Sequence, residues 1–379
     1  MTLFTAPANN PDDPLSAIAS GIRTDLAEFF TCTQVQINSP QPGSIRLKGQ
    51  FRCDLAECYD EMRGRVEAHG FTPLIREEEE QTYLIAIPIV FKATPSQWWI
   101  NLLLFIATII TTLLVGMEPA WDGANLPTPA QLLTGWPFSL SLILILGSHE
   151  LGHYFAARYH NVPVTLPYFI PMPFSFIGTM GAMIRLKAPI KNKRALLDIG
   201  AAGPLTGLVF AIPILLYGLY TSNITQLPVN EPYMLEGNSI LYLLAKLLVF
   251  GQILPSPEGL DVTLNNVAWA GWVGLLVTGL NLLPIGQLDG GHIAYALFGK
   301  QAKTFYWPIL ITLIVLMFLS EGATWGFWIL LLFFFGRVHA EPLDDVTPLD
   351  PVRRSVALFT LVMFFFVFVA IPFTFKNMP

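Results

Sequence analysis

The chain has 379 residues, of which 53% are hydrophobic and only 13% are charged, and its formal net charge is −6. Soluble proteins carry about 25% charged residues, so this composition excludes an ordinary soluble protein and indicates a membrane protein with several spans. The cysteines Cys32, Cys53 and Cys58 lie in the polar N-terminal part and form no CxxC pair. The sequence therefore predicts neither a zinc knuckle nor a disulfide framework, and free thiols are expected.

Residues 1 to about 95 are predicted to form a small soluble α+β domain behind a lead rich in Pro, Asn and Asp. The segment SIRLKGQF alternates like a strand, and DLAECYDEMRGRVEAHG predicts a helix that begins near Asp54 and ends at Gly70. The segment TPLIREEEEQTYLIAIPIVF predicts two strands joined by the acidic run from Glu77 to Glu80. That run is expected to be a solvated hairpin tip, with a metal site as the minor alternative. The first residues follow neither a signal-peptide nor a transit-peptide pattern, so neither is expected.

From Trp98 onward, long apolar runs of about 20 residues predict transmembrane helices. The segment NSILYLLAKLLVFGQIL carries Lys246 at its centre and is predicted to be an interfacial or partly embedded helix. The expected fold is a polytopic α-helical membrane protein of about 6–7 transmembrane helices with the small N-terminal domain in front. The predicted spans lie near residues 98–116, 137–157, 199–221, 266–284, 304–320, 322–336 and 355–374.

Lys and Arg residues are concentrated in alternate loops, which predicts the orientation of the chain by the positive-inside rule. With seven spans, the rule is satisfied when the N-terminal domain is cytoplasmic and Lys376 lies on the other side. The expected location is therefore a cell membrane, with the opening of the site on the cytoplasmic face. The basic residues that follow the second, fourth and sixth spans are Arg158, Arg185, Lys187, Lys191, Lys193, Arg194, Lys300, Lys303, Arg337, Arg353 and Arg354.

The second predicted span contains the sequence His149-Glu150-Leu151-Gly152-His153, an HExxH pattern. Positions i and i+4 of a helix share one face, so both imidazoles can reach one metal ion. Glu150 lies close enough to act as a base on a water molecule at that ion, and zinc suits two imidazoles plus a carboxylate. The alternative is a pair of helix-surface histidines, which an apolar span disfavours because unpaired ionisable groups are costly there.

The segment NLLPIGQLDGGH at the end of the fourth predicted span offers the carboxylate. Pro284 breaks the helical hydrogen-bond ladder, and Gly286 with the pair Gly290-Gly291 allows the chain to turn back. Such a broken segment could direct Asp289 into the bundle as the third ligand. The alternative is that Asp289 belongs to an ordinary turn, but both charged clusters fall at the cytoplasmic ends of their predicted spans, which favours the ligand interpretation.

Together these patterns resemble the site-2 protease family of intramembrane zinc metalloproteases, whose signatures are HExxH and NxxPxxxxDG in separate transmembrane segments. Both patterns are complete here, and the resemblance covers roughly residues 137–300. It implies one zinc ion held by His149, His153 and Asp289. It also implies Glu150 as general base and acid, and Asn281 as the residue that positions substrate or stabilises the oxyanion. His292 has no ligand role in that pattern and is expected to stand at a helix start or behind the ligands.

The resemblance also implies a membrane-associated β-hairpin after the second span, followed by a Gly-rich helix. In GTMGAMIRL, Gly178 and Gly181 are expected to allow close backbone approach, and an exposed strand edge could pair with an unwound substrate segment. Glycines at 200, 203 and 207 are expected to serve helix packing alone. Asn192 and Asp198 are expected to cap that helix. The gap from Ser222 to Asn265 is too short for the PDZ domain of many relatives, and the N-terminal domain loosely resembles the cyanobacterial and plastid branch.

The expected function is an intramembrane zinc metalloendopeptidase that cleaves single-span membrane proteins or remnants of signal peptides. Residues 96–379 would form the protease domain, with the spans of residues 304–374 peripheral to its core. The alternatives are a membrane metal-ion transporter and a non-proteolytic protein that binds membrane partners. Expected partners are transmembrane substrates and the lipid bilayer, with no nucleic acid, and the sequence leaves the oligomeric state open.

Overall fold

The computed structural model describes residues 14–92, 94–121, 126–320 and 324–376. The predicted lead of residues 1–13 and the first residues of the sixth predicted span, 322–323, lie outside the described residues.

Helices dominate the described chain, with short strands between them. The helices are α1 (Pro14–Asp25), α2 (Leu55–Ala68), α3 (Trp98–Gly116), α4 (Pro129–Thr134), α5 (Trp136–Tyr159), α6 (Lys193–Tyr220), α7 (Ile240–Phe250), α8 (Asn266–Asn281), α9 (Asp289–Phe298), α10 (Tyr306–Leu319), α11 (Thr324–Phe335) and α12 (Pro351–Val367). The strands are β1 (Phe30–Ile37), β2 (Ile45–Phe51), β3 (Thr72–Glu78), β4 (Gln81–Ile87), β5 (Tyr168–Pro171), β6 (Thr179–Met183), β7 (Asn223–Gln226), β8 (Tyr233–Glu236), β9 (Leu260–Thr263) and β10 (Phe373–Lys376).

The chain divides into two compact units. The first unit comprises Met1–Thr94 together with two later segments, Lys187–Arg194 and Glu341–Leu349. Its sheet has the antiparallel order β1-β2-β4-β3, and α1 and α2 contribute to one hydrophobic core. Tyr59 and Met62 of α2 are fully buried in that core.

Local signals in this unit act where the sequence predicts them. Helix α2 begins after Asp54, whose side chain accepts a hydrogen bond from the backbone N–H of Ala56 and so satisfies one donor of the first turn. The acidic run forms the tip between β3 and β4, where Glu79 and Glu80 adopt positive φ values of 49° and 61°. Both residues are exposed, as expected for a solvated hairpin tip.

The two later segments extend the sheet of the first unit, which the sequence did not predict. The backbone N–H of Ile75 in β3 donates to the carbonyl of Leu343 (2.8 Å), and the N–H of Asp345 donates back to Ile75 (3.1 Å). The backbone N–H of Leu343 in turn donates to the carbonyl oxygen of Ile190 (2.8 Å). Both later segments are therefore joined to β3 by backbone hydrogen bonds. Leu343 is only 2% exposed and belongs to the hydrophobic core of this unit.

The expectation that all three cysteines are free thiols is wrong for two of them. Cys53 stands just before the N-terminus of α2 and Cys58 lies in its first turns, so the turn into the helix brings their Cα atoms within 6.4 Å. The two form a disulfide, whereas Cys32 is free and half-buried in β1. Burial raises the pKa of the Cys32 thiol.

The second unit comprises Pro95–Leu186, Ala195–Ala340 and Asp350–Pro379. Three helical stretches in the described residues are long and apolar enough to cross a membrane: Trp98–Gly116, Lys193–Tyr220 and Asp289–Leu319. The other predicted spans are also helical, in α5, α8, α11 and α12. Each of these is shorter than 18 residues or carries the ionisable groups of the motif, so the count of seven spans stays a prediction.

Helices α5, α6 and α8 pack closely through glycines. A Cβ atom on Gly152 of α5 would lie 2.5 Å from the carbonyl oxygen of Ala202, and one on Gly271 of α8 would lie 2.6 Å from the Cα of Leu215. Real side chains do not approach this closely, so larger residues would force the helices apart. Small residues at such crossings are typical of membrane helix bundles.

Helix α7 contains the lysine that disfavoured a simple span there. Lys246 is fully buried, and its Nζ atom lies 3.3 Å from Glu236 and 3.1 Å from Asp261. The two carboxylates compensate the charge, since a buried cation is tolerated only when it is paired.

Strands β5 and β6 form the hairpin that the family resemblance implied. Gly178 precedes β6 with a φ of +79°, and a Cβ atom there would lie 2.7 Å from the carbonyl oxygen of Thr111 in α3. The expectation of close approach is therefore correct for Gly178. It is wrong for Gly181, whose added Cβ would meet nothing within 4 Å; this position needs glycine only for its φ of +102°.

Candidate metal centre

Helix α5 carries the two histidines of the HExxH pattern on one buried face. His149 and His153 are 4% and 6% exposed, and their Nε2 atoms lie 3.1 Å apart. Glu150, between them in the sequence, is equally buried. The one-face geometry that the i, i+4 spacing predicts is therefore present.

The broken segment after α8 brings Asp289 to the same point. Gly286 turns the chain with a φ of +58°, and α9 then begins at Asp289. Its Oδ2 atom lies 3.2 Å from the Nε2 of His149 and 3.3 Å from the Nε2 of His153. Gly290 and Gly291 do not form the turn that the sequence predicted, but allow close packing of the backbone. They lie inside α9, where a Cβ on Gly290 would be 2.0 Å from the carbonyl oxygen of Leu282.

The three donor atoms fit one zinc ion by their mutual distances. Atoms bound about 2.0–2.1 Å from a tetrahedral zinc ion lie about 3.3 Å from one another. The three observed separations are 3.1, 3.2 and 3.3 Å, which matches three corners of such a tetrahedron. In the described residues, this is the group of His, Cys, Asp and Glu side chains whose ligand atoms converge for a metal.

Backbone groups lie against one histidine and the glutamate. The Nδ1–H of His153 donates to the carbonyl of Ile199 in α6 (2.6 Å), which leaves the Nε2 lone pair free to face the other two donors. Such an acceptor behind a ligating histidine is the usual device that fixes its tautomer. Helix α5 packs against β6, and the backbone of Ile184, directly after β6, lies beside the carboxylate of Glu150. The hairpin and the metal centre are therefore in contact at the glutamate.

Asn281 and His292 lie beside these groups. Asn281 ends α8, and its Nδ2 atom is 3.5 Å from the Nε2 of His149, so its amide belongs to the site. His292 lies in the first turn of α9, and its buried Nδ1 atom has no hydrogen-bond partner among the described residues. It is not one of the three converging ligands, in line with the expectation for a histidine at a helix start.

Two glycines of α6 make room for the imidazoles, which sequence reasoning missed. A Cβ on Gly203 would lie 2.0 Å from the Nε2 of His153, and one on Gly207 would lie 3.2 Å from the Nδ1 of His149. The expectation that these glycines serve only helix packing is therefore incomplete. The Gly-rich pattern of the helix was the available signal, but it could not show which side chains the glycines face.

The expectation that Asp198 caps α6 is wrong. The helix begins at Lys193, directly after Asn192, and Asp198 lies in its second turn. There Asp198 binds two side chains, with its Oδ2 atom 2.8 Å from His160 and 2.7 Å from Arg353. The negative charge is used for tertiary contacts and not for the backbone amides of the helix start.

Comparison with known proteins identifies the segment that carries the site. Residues 137–319 match the family model described as Peptidase family M50. The chain is 28% identical over 364 residues to the probable zinc metalloprotease EGY2, chloroplastic, of Oryza sativa subsp. indica. The matched residues cover 93% of this chain and 65% of that protein. It is 30% identical over 367 residues to the protein of the same name from Arabidopsis thaliana, covering 92% of this chain and 63% of that protein.

The probable zinc metalloprotease EGY1, chloroplastic, of Arabidopsis thaliana is 30% identical over 233 residues, or 60% of this chain and 41% of that protein. The chain thus spans less than two thirds of the length of these relatives. No solved structure matches it. The family resemblance that the two motifs predicted is confirmed: residues 137–319 match the model of Peptidase family M50, and the relatives that resemble this chain are named probable zinc metalloproteases.

Proposed function

We propose that the chain is an intramembrane zinc metalloendopeptidase. The observation that carries this proposal is the triangle of donor atoms from His149, His153 and Asp289, with sides of 3.1–3.3 Å, beside the buried carboxylate of Glu150. Two imidazoles and one carboxylate leave a fourth position open, which is the arrangement of catalytic zinc sites. The names of the relatives, probable zinc metalloproteases, support the same metal and the same class of reaction.

Zinc bound at this site would polarise the scissile carbonyl and activate a water molecule as the nucleophile. Glu150 accepts the proton of that water and later delivers it to the departing amine, so its buried carboxylate serves as base and then as acid. The amide of Asn281, at the edge of the ligand triangle, donates to the substrate carbonyl as negative charge develops on it.

Strand β6 supports a route for the substrate. Strand β5 pairs with β6 along one edge and packs against α3, and within the described chain no further strand pairs with β6. An unwound substrate segment added along β6 would run toward Ile184, whose backbone lies beside Glu150. Because a transmembrane helix hides its amides in its own hydrogen bonds, strand addition would hold it open for attack. The substrates would be single-span membrane proteins or remnants of signal peptides.

The arrangement in the bilayer is part of the proposal. Residues 1–95 would form a soluble cytoplasmic domain, and residues 96–379 would form the protease domain, with about 6–7 spans and a core at 137–300. The cell membrane, with the site open to the cytoplasm, is the location that the basic loops favour. The relatives named above are chloroplastic by name, so the kind of membrane is tested by fractionation of the native cells.

A metal-ion transporter is the rival function, since histidine and aspartate at membrane depth also line ion paths. It gives no role to Glu150, which is buried in α5 between the two histidines. A non-proteolytic binding protein has no use for a carboxylate base beside a complete set of three metal-binding side chains.

The deciding experiment is co-expression with a panel of tagged single-span proteins, comparing the wild type with Glu150→Gln and Asp289→Ala. We expect the wild type to cleave at least one substrate and to contain about one zinc ion per chain. Glu150→Gln should keep the zinc and lose cleavage by a factor of ~10³ or more, because only the base is removed. Asp289→Ala should lose both, because a ligand is removed.

Glu258→Gln is the matched control, because it removes an exposed carboxylate from a loop of the same unit, outside the helices that carry the site residues. Unchanged cleavage by Glu150→Gln would reject the protease assignment. Zinc retained at wild-type affinity in Asp289→Ala would reject the third ligand.

A further inference from the structure

The last long helix, α12, places a charged side chain against α6, the helix that packs beside the two histidines of α5. Arg353, in the first turn of α12, donates from Nε to both carboxylate oxygens of Asp198 (2.9 and 3.0 Å) and from Nη2 to Oδ2 (2.7 Å). The Nε2 atom of His160, at the C-terminal end of α5, lies 2.8 Å from the same Oδ2. Three helices therefore meet at one carboxylate, and α12 lies beyond the matched segment 137–319.

Asp198 is adjacent to the residue that orients a metal ligand. The carbonyl of Ile199 accepts the Nδ1–H of His153 at 2.6 Å, and this contact sets where the Nε2 atom of His153 points. Helix α5 is thus attached to the same turn of α6 at two places, through His153 and, about two turns later, through His160. A shift or rotation of this turn of α6 would carry the acceptor away from His153.

Arg353 is itself held in place, so it can restrain Asp198. Its Nη1 atom donates to Asp350 (2.7 Å), and Asp350 accepts the backbone N–H of Arg353 at the start of α12. A guanidinium bound at both ends by carboxylates is a planar, preorganised fork, which a lysine ammonium cannot reproduce.

Helix α12 also packs against the other two parts of the site. It contacts α9, which begins with Asp289, and α8, which ends with Asn281. The helix that carries Arg353 therefore adjoins the element of the third ligand, while its arginine restrains the element behind the second ligand. Both contacts come from a helix that the sequence predicted to be peripheral.

We propose that Arg353, Asp198 and His160 form a positioning cluster that fixes the orientation of His153 in the metal centre. None of the three touches the ligand triangle, so they act through Ile199 and not as catalytic residues. This inference rests on the proposed zinc peptidase function and adds to it the residues that keep its metal geometry. It makes α12 a required part of the enzyme's active form.

The test uses the full chain in detergent and in membranes, with Arg353→Lys, Arg353→Ala and Asp198→Asn. The matched control is Arg354→Ala, which removes the same charge from the next, exposed residue of α12. Zinc affinity is measured by competition with a chelator, and the visible spectrum of the Co²⁺-loaded protein reports the ligand geometry. Steady-state cleavage separates kcat from KM.

We expect Arg353→Ala and Asp198→Asn to weaken zinc binding about 10-fold, within the range for partners of metal ligands. The Co²⁺ spectrum should change and kcat should fall while KM stays within about 2-fold, because the cluster does not contact the substrate. Arg353→Lys should show a smaller change of the same kind, and it keeps the test valid if the alanine variant does not fold. The double variant Arg353→Ala/Asp198→Asn should lose no more zinc affinity than the more severe of its two single variants, because the two residues act as one unit.

Two results would overturn the inference. One is a lowered melting temperature with unchanged zinc affinity and an unchanged Co²⁺ spectrum, which would mean a merely structural ion pair. The other is equal behaviour of the Arg353 and Arg354 variants. If the wild type neither binds zinc nor cleaves any substrate, the proposed function fails first, and that outcome is distinct from both.

Discussion

The candidate metal site depends on two kinds of residue: side chains that could bind the metal, and a glycine that leaves space for them. His149, His153 and Asp289 have side chains that can bind a metal. The i, i+4 spacing predicted that the two histidines share one helix face, and the broken segment after the fourth predicted span indicated that Asp289 could join them. Gly203 carries no chemistry, yet its missing side chain is a condition of the site, because the imidazole of His153 occupies that space. Sequence patterns can show that a helix is rich in glycine, but only the packed structure shows what each glycine faces.

The change Gly203→Ala tests this role at the residue scale. Its Cβ atom would lie 2.0 Å from the Nε2 of His153, so the imidazole or the helix must shift. We expect zinc affinity to fall ~100-fold and cleavage to fall with it, as measured by chelator competition and the co-expression assay.

Gly64→Ala and Gly207→Ala calibrate that result. Gly64 is an exposed position inside α2 where an added Cβ meets nothing within 4 Å, so alanine should stabilise the protein by about 0.5–1 kcal/mol and leave zinc affinity unchanged. Gly207→Ala brings its Cβ only to 3.2 Å from His149 and should weaken zinc binding less than Gly203→Ala does. Wild-type zinc affinity in Gly203→Ala would show that the site relaxes freely and that the glycine is not required.

At the scale of elements, each predicted span contains a helix, although the bounds of some are displaced: α12 covers Pro351–Val367 where the span 355–374 was predicted. The hairpin lies where the family resemblance implied it. The predicted span 98–116 is α3 residue for residue, and the span 137–157 differs from α5 by one or two residues at its ends. Long apolar runs are strong signals, since they reflect one property summed over many residues. The contact of the hairpin with α3 at Gly178, and of its end with Glu150, depends on the approach of distant segments and had no local signal.

The paired changes Gly178→Ala and Gly181→Ala test the hairpin's attachment. Both positions have positive φ, so both substitutions strain the backbone by ~1–2 kcal/mol. Only at Gly178 does the new Cβ also collide with the α3 backbone, 2.7 Å from the carbonyl oxygen of Thr111. We therefore expect Gly178→Ala to reduce cleavage about 10-fold more than Gly181→Ala, with zinc content at the wild-type level in both. Equal losses of activity in the two variants would mean that backbone strain explains the effect and that the packing of the hairpin against α3 is not required for activity.

At the scale of the whole chain, the sequence predicted a simple N-terminal domain ending near residue 95. The compact unit instead includes the segments Lys187–Arg194 and Glu341–Leu349, which join its sheet by backbone hydrogen bonds. Backbone pairing of this kind is nearly independent of side-chain identity, so no motif marks it in the sequence. Leu343 and Val346 were available hints, because both are apolar residues in a polar segment and both pack into the core of this unit.

The change Leu343→Ala in the full chain tests whether the later segments complete the first unit. Leu343 is 2% exposed in the core of that unit, so its truncation should destabilise the unit by about 2–5 kcal/mol. Limited proteolysis should then cut faster within residues 14–94. Leu358→Ala, at a half-exposed position of α12, is the control and should leave those cuts unchanged. The same proteolysis pattern for both variants would show that the segment contributes little to the unit.

The sequence by itself predicted the class of the molecule, its helices and the pair of histidines on one helix face, because apolar length and i, i+4 spacing are local properties that do not depend on the fold. The tertiary structure decided what depends on distant contacts: the 3.1–3.3 Å triangle that makes three residues one site, the glycines that face its imidazoles, and the bond from Arg353 to Asp198. It also decided the extent of the first unit. These features require segments to meet in space, and their separation along the chain carries no record of that meeting.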